Sequence, residues 1–395
     1  MNVGFITEGY RPIYDGVSIY VANLSQSLRE KGHNVYIFAP QYPQIDTNSE
    51  PGVIRIPSTY SWVAPPYRIS NPWAARKIFR QLFQQLDLDV VHSHIPSIML
   101  YPAYQVSKEL GIPHVTTYHT YLERYAPHIA PIIPKPLARW LAMACSRSFC
   151  NRSECVIVHS KVMQGVLQRY GIKTRIECIS PGIDLETLKN ADGLRIRREF
   201  GLKQNDRVLV YVGRLTSEKN IRFLFAVMSR LLRDNTVGSL KMLIVGTGRH
   251  ERDIRRDCHR MGLDEAVIFA GLVKDRRRLA DFYAAGDVFI FASVTETFGM
   301  VLVEAEACGT PVVAVGEGGA LDAVRDGYGG FLTQLDVEQF TGRVRRLLLN
   351  PEVRREQSRK ALDHAKQFSL DVMTTRLLKL YESLVEHKRI IEGTA

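Results

Sequence analysis

Twice along this chain, short runs rich in valine and isoleucine alternate with longer stretches whose apolar residues fall at helical spacing, as a parallel sheet covered by helices requires. The first series places strands at 2–7, 34–39, 53–56, 89–92, 114–118 and 155–159, with an amphipathic helix from Gly16 to Lys31 closed by Gly32. Around Ile179 to Asp184 the run Ile-Ser-Pro-Gly-Ile-Asp breaks this pattern with Pro181 and Gly182. A second series then places strands at 207–213, 240–246, 267–271, 287–293 and 311–316. With 395 residues the chain is too long for one ordinary core. The expected class is α/β with two Rossmann-like domains, 1–182 and 183–368, and ligands in such sheets sit beyond the carboxyl ends of the strands. The last segment, about 369–395, carries Val372, Leu377, Leu380 and Leu384 at helical spacing and could pack back on either domain, the first included.

Composition excludes several classes. At 45% hydrophobic and 24% charged the chain is ordinary globular protein. Its longest apolar runs fall far short of the roughly 18 residues that span a bilayer. Met1 to Thr7 enters a strand with no basic region and no cleavage site, so a cytoplasmic place is expected. Six cysteines show neither C-x-x-C pairing nor zinc-like spacing with histidine, which predicts reduced thiols. The net charge of +11 implies a phosphate-bearing partner.

Two motifs say where such a phosphate would sit. The loop after strand 207–213 begins with Gly213-Arg214 and ends with Lys219 just before a helix, and two cations at a helix start make an anion site suited to a diphosphate. After strand 287–293 comes Glu296, which precedes a helix starting near Gly299, and eight residues later Glu304, which lies within that helix. If both lay on one continuous helix they would stand roughly 12 Å apart, the span from a sugar ring to a ribose across a diphosphate. The first N–H groups of that helix, near Phe298, Gly299 and Met300, would face the ligand.

Gly-Arg-Leu-x-x-x-Lys at 213–219 and Glu-x7-Glu at 296–304 resemble the retaining glycosyltransferases of family four, which have the GT-B fold with a deep interdomain cleft. Val245-Gly246-Thr247-Gly248 and Phe269-Ala270-Gly271-Leu272-Val273 are similar to further donor-domain segments of that family. The resemblance implies that Arg214 and Lys219 hold the donor diphosphate, Glu296 the sugar hydroxyls, Glu304 the ribose and the Val273 backbone the base, with Gly246 beside them and no metal or other cofactor needed. Tyr10-Arg11-Pro12-Ile13-Tyr14-Asp15-Gly16-Val17 resembles the family's glycine-rich loop, with Asp15 where many members have a first glycine. Gly16 would still offer a backbone N–H to phosphate, and Asp15 leans towards an acceptor role. His119 is implied to lie near the reacting carbon of the donor.

Neither His92-Ser93-His94 nor Asp87-Leu88-Asp89 predicts a metal site, since the first offers two ligands without a third and the second lies before a strand. The first domain carries most of the excess charge, 18 Lys and Arg against 11 Asp and Glu in residues 1–182. Residues 51–86 hold no acid but Arg55, Arg68, Arg76, Lys77 and Arg80 among Tyr60, Trp62, Tyr67 and Trp73. Residues 124–153 repeat this with Arg124, Lys135, Arg139, Arg147 and Arg152 beside Trp140, Leu141 and Met143. Cations interleaved with aromatics suit an anionic lipid surface, on the inner face of the cell membrane, better than nucleic acid.

The stretch from Thr116 to Tyr125, Tyr121 and Arg124 included, is similar to members that glycosylate diacylglycerol. That resemblance implies transfer of glucose or galactose, glucose first, from a UDP-sugar to a membrane lipid acceptor, diacylglycerol first, giving an α-glycosyl lipid. Other acceptors (phosphatidylinositol, a soluble sugar, a sugar phosphate), a GDP-mannose donor, an epimerase or hydrolase, and a non-catalytic membrane-binding protein stay open at this point.

Overall fold

The computed structural model describes residues 1–13, 15–43, 50–61, 67–95, 97–129 and 133–393. Tyr14 and Trp62, named above, lie outside them. The chain forms two compact units, Met1–Gly182 with Leu370–Ala395, and Ile183–Ser369.

In the first unit seven parallel strands, β1 (Asn2–Thr7), β2 (Asn34–Pro40), β3 (Val53–Ile56), β4 (Val90–Ile95), β5 (His114–Tyr118), β6 (Cys155–Val158) and β7 (Arg175–Cys178), lie in the order β3-β2-β1-β4-β5-β6-β7. Because successive side chains alternate across a strand, Phe5 and Ile6 serve opposite faces. Phe5 joins Val3, Tyr20, Leu24, Met373 and Tyr381 beneath the helices Gly16–Glu30 and Leu370–Gly393. Ile6 joins Phe38, Phe79, Phe83 and Met99 beneath the helix Pro72–Gln85 and its neighbour Leu100–Glu109. Each fully buried phenylalanine there contributes about 1.5–3 kcal/mol. The C-terminal helix buries most of the expected stripe, with Leu384 partly buried, and adds Met373 and Tyr381 to it. Met373, Leu377, Leu380 and Tyr381 are buried, whereas Val372 is exposed.

In the second unit β8 (Arg207–Val212), β9 (Leu240–Val245), β10 (Val267–Gly271), β11 (Val288–Phe291), β12 (Val312–Val315), β13 (Arg325–Asp326) and β14 (Gly329–Thr333) lie in the order β10-β9-β8-β11-β12-β14-β13. In both units the first strand is flanked on one side by the second and on the other by the fourth, so strand order reverses there and a crevice opens at the carboxyl ends. Strands β7, β13 and β14 add to those expected, as does a small antiparallel pair, Ser58–Tyr60 with Arg68–Ser70. They carry mixed or short patterns: Arg175 and Glu177 alternate with Ile176 and Cys178, and β14 opens on two glycines.

Candidate functional site

In the second unit the loops after β8 and β9 are pressed together by backbone hydrogen bonds, Leu215 N to Thr247 O at 2.9 Å and His250 N to Leu215 O at 3.1 Å. A Cβ on Gly246 would stand 2.0 Å from the Gly213 carbonyl oxygen, so the approach demands glycine. This fixes the loop that carries Arg214 and Lys219. Arg214 is 59% exposed at its side chain, with Glu218 at 3.7 Å. Lys219 ends the turn Ser217–Lys219 and is buried, its Nζ 5.7 Å from the Phe291 ring centre. The helix after it, Ile221–Leu232, begins only beyond Asn220, which is left-handed at φ 52° and donates its side-chain amide to the Ala292 carbonyl. That bond ties the loop after β8 to the end of β11.

Glu296 comes from the loop after β11 and forms an ion pair with Lys219. Burial works to raise its carboxyl pKa, but the Lys219 charge and hydrogen bond, with smaller help from Ser293 and Arg214, bring it below the ordinary carboxylate value. A cation suited to phosphate and a carboxylate suited to hydroxyls therefore meet at the point where strand order reverses. The loop after β12 holds this arrangement from outside, with Gly319 N donating to Glu296 O at 2.8 Å. A Cβ on Gly319 would stand 2.3 Å from the backbone of Phe298. The Gly318-Gly319 pair after a strand was the signal for this contact, and the motif reading passed over it.

The helix expected from near Gly299, with Glu296 before it and Glu304 within it, is formed. Gly299 sits at φ 93° outside it, and the helix spans Met300–Ala307. Glu296 is thus a loop residue, and a helical separation does not apply to the pair. Phe298 directs its ring into the core against Phe368, so only its backbone borders the loop, while Gly299 caps the helix and Met300, half-buried, opens it. Val273, after β10, is half-buried beside an exposed Leu272.

Glu304 is 2% exposed and both its oxygens are taken. Arg276 donates to Oε1 at 2.6 Å and the Tyr283 hydroxyl to Oε2 at 2.6 Å. Its charge in turn raises the pKa of the Arg276 guanidinium and, after burial, that of the Tyr283 hydroxyl. Arg276 and Tyr283 were not read from the sequence. They lie on one helix, Arg276–Ala285, seven positions apart and so on one face, which is the pattern that connects them.

In the first unit Asp15 caps the helix Gly16–Glu30, accepting from Ser18 N at 2.8 Å, and accepts as well from the Tyr67 hydroxyl. Both its oxygens are thereby occupied, which explains an acid where a glycine was expected. Gly16 opens the helix with nothing within 4 Å of a built Cβ. Glu8, at the end of β1, also went unread. Its carboxyl is pushed up to about 7 by burial, against hydrogen bonds that include the Ser70 hydroxyl. His119, just after β5, has both ring nitrogens engaged, Nε2 with His94 Nδ1 at 3.0 Å and Nδ1 with His159 Nε2 at 3.0 Å. Burial first, then the neighbouring histidines, holds His94 and His119 well below the ordinary imidazole value, and burial pushes His159 down to about 4. His92 is bound to Tyr381 and Thr117. Among the described residues no group of three or more His, Cys, Asp or Glu is arranged to hold a metal ion.

The basic aromatic segments divide into spent and presented cations. Arg76 and Arg80 both pair with Glu109 from the neighbouring helix, so an acid-free stretch of sequence is not an acid-free surface. Arg68 bonds Ser58 across the small strand pair, and Arg124 stacks 5.1 Å over Tyr121. Lys77, Lys135 and Arg139 are exposed. They share the helices Pro72–Gln85 and Lys135–Cys150 with Trp73, at 81% exposure, and Trp140, at 59%. No described helix is long and apolar enough to cross a membrane.

The family model "Glycosyltransferase Family 4" matches residues 14–187, and the model "Glycosyl transferases group 1" matches residues 193–364. The chain is 27% identical to the alpha-monoglucosyldiacylglycerol synthase of Streptococcus pneumoniae, over 80% of this chain and 71% of that one. It is 31% identical to the D-inositol 3-phosphate glycosyltransferase of Acidothermus cellulolyticus, over 76% of this chain and 68% of that one. A solved structure of Anabaena Alr3699/HepE in complex with UDP and glucose superposes with a TM-score of 0.78 at 19% identity, over 97% of this chain and 100% of that one, which establishes the shared fold.

Proposed function

The chain belongs to the glycosyltransferases of family 4, and from that premise we propose that it moves a hexose, glucose first among the choices, from a UDP-sugar onto diacylglycerol with retention at the anomeric carbon. The observation that carries the donor half is the Lys219–Glu296 pair at the strand-order reversal of the second unit. In this reading Lys219 and Arg214 take the diphosphate, whose arrival draws Lys219 away from Glu296 and frees that carboxylate for the sugar hydroxyls. Glu304, braced by Arg276 and Tyr283, takes the ribose, the Val273 backbone takes the base, and the backbone around Gly16, Gly246, Phe298, Gly299 and Met300 borders the donor. Fixed cations aimed at the departing diphosphate supply the rate term, worth about 10²–10³ for one such donor in other enzymes. The acceptor hydroxyl attacks on the face the nucleotide leaves, and a donor phosphate oxygen takes its proton, so no protein nucleophile is assigned.

The lipid acceptor is supported by the name of the pneumococcal relative and by the exposed Trp73 and Trp140 among Lys77, Lys135 and Arg139. Such a surface suits peripheral binding to an anionic inner membrane leaflet, each cation adding about 1 kcal/mol. A second reading, a soluble sugar phosphate such as an inositol phosphate, is favoured by the 31% relative and by the cationic surplus of the first unit. A donor panel tested with diacylglycerol in anionic vesicles and, separately, with soluble phosphorylated polyols separates the two. Glycolipid detected by mass only in the vesicle arm supports the first reading. Product confined to the soluble arm replaces it with the second, and release of free sugar in both arms removes the transferase reading.

A further inference from the structure

The histidine chain of the first unit has a proton order that its end group dictates. Ile179 presents a carbonyl oxygen, which can only accept, so the His159 Nδ1 lying 3.0 Å from it carries the proton. A neutral His159 then has a lone pair at Nε2, to which His119 Nδ1 donates across 3.0 Å. By the same step His119 Nε2 accepts from His94 Nδ1, also at 3.0 Å. The order ends at His94 Nε2, a buried lone pair with no partner in the described structure.

The Tyr20 ring, from the helix Gly16–Glu30, lies 4.9 Å from the His119 ring, 5.1 Å from His159 and 5.8 Å from His94, and holds the three in place. The other titratable groups facing the chain are neutral too: His92, whose ring is 4.3 Å from that of His94, and Tyr381 from the C-terminal helix, bonded to His92. Three strands contribute one imidazole each, from β4, from just after β5 and from just after β6. A single slip in any of them would break the order.

We propose that His94 and His159 are positioning residues that lock His119 in its Nδ1–H tautomer and in one ring orientation, so that it borders the donor sugar as a neutral group that neither takes nor gives a proton. This rests on the reading above, in which His119 lies near the donor's reacting carbon. The physical reason lies in the transition state. The anomeric carbon gains positive charge as the nucleotide leaves, and an imidazolium beside it would oppose that charge. With both nitrogens committed inside the protein, the ring is barred from becoming one and from drifting out of line.

The test combines nitrogen-15 NMR of the imidazoles with kinetics against pH. In the wild-type protein the His119 resonances should report a neutral Nδ1–H ring from about pH 5 to about pH 8, where a free imidazole would titrate. His159→Phe keeps a ring but removes the acceptor. It should move His119 towards the other tautomer, introduce an acid limb in turnover, and lower kcat by about 10- to 100-fold while the donor KM stays within about threefold. His159→Gln restores an acceptor oxygen and should recover most of kcat. If His159→Phe fails to fold, His94→Asn, which keeps a donor to His119, against His94→Leu, which does not, gives the same contrast. An Nε2–H ring in the wild type would overturn the proposal, as would a folded His159→Phe enzyme with wild-type kcat and pH profile. Should the wild type turn over no UDP-sugar, the functional reading fails on its own, and the NMR result still decides whether the tautomer is locked.

Discussion

The two units both bury polar groups at the ends of their parallel strands and in the loops and helices that follow, but they neutralise them in opposite ways. The first unit strings uncharged imidazoles from His94 to the Ile179 carbonyl. The second pairs full charges, Lys219 with Glu296 and Arg276 with Glu304. A neutral network costs little to desolvate and resists protonation, whereas an ion pair is costly to bury and becomes costlier when one partner is taken away. The second kind can be opened by a charged ligand that substitutes for a partner, as a diphosphate would for Glu296. The first kind has no charge to trade and serves to hold shape.

The contrast can be broken most severely by removing one charge. Arg276→Met strands the Glu304 carboxylate, and denaturant unfolding should show the second unit weakened by about 3–5 kcal/mol. Tyr283→Phe takes away one hydrogen bond to the same buried group and should cost about 1–3 kcal/mol. Near-equal losses for the two would mean that the ion pair has no special weight.

Acid separates the units by a different route. The folded-state pKa of His159 lies near 4, below the ordinary 6.5, so the stability its neutral burial provides is full above 6.5 and is lost as pH falls towards 4. His114, pushed down to about 3, and His92, His94 and His119, all held well below the ordinary imidazole value by burial, act in the same direction. Glu8 opposes them, since its raised pKa means stability is lost as pH rises from 4.5 through about 7, but it is one group against five. Glu296 is depressed from 4.5, so its contribution is full above that value and lost only below it. Hydrogen exchange at about pH 5.5 compared with about pH 7.5 should therefore show the first unit opening more readily while the surroundings of Glu296 stay protected. Equal acid sensitivity in both units would contradict the contrast.

The smallest effects belong to the surface. Trp73→Ser and Trp140→Ser should weaken vesicle binding several-fold and leave folding unchanged, with roughly 1 kcal/mol further for Lys135→Glu. Unaltered vesicle binding in the combined variant would separate the basic aromatic faces from any membrane role.

Much of this was legible in the sequence because it is local. The alternation of strands and helices and the break at Pro181-Gly182 reflect side-chain period and backbone freedom, which a single segment carries by itself. Lys219 and Glu296 were legible as members of motifs, although their direct pairing was not. The partners of Glu304 and His119 are of another kind. Arg276 reaches Glu304 across 28 positions, and the histidine order needs three strands brought into parallel register before any nitrogen can face another. Glu109 offsets one of the two charges of Arg76 and Arg80 only once two helices pack together, which a count along one segment does not register. The edge strands β7 and β13 were missed because charged residues interrupt their apolar pattern, and edge strands tolerate such residues.

The claim on which the rest depends is that Lys219 and Glu296 form the core of a sugar-nucleotide site. Its most direct test is glycolipid formation by Lys219→Ala at saturating UDP-glucose, with diacylglycerol vesicles as acceptor and a melting curve as the control for folding. A folded variant whose turnover falls by about 10²-fold or more is the predicted result. A folded variant that makes glycolipid at the wild-type rate would contradict the claim.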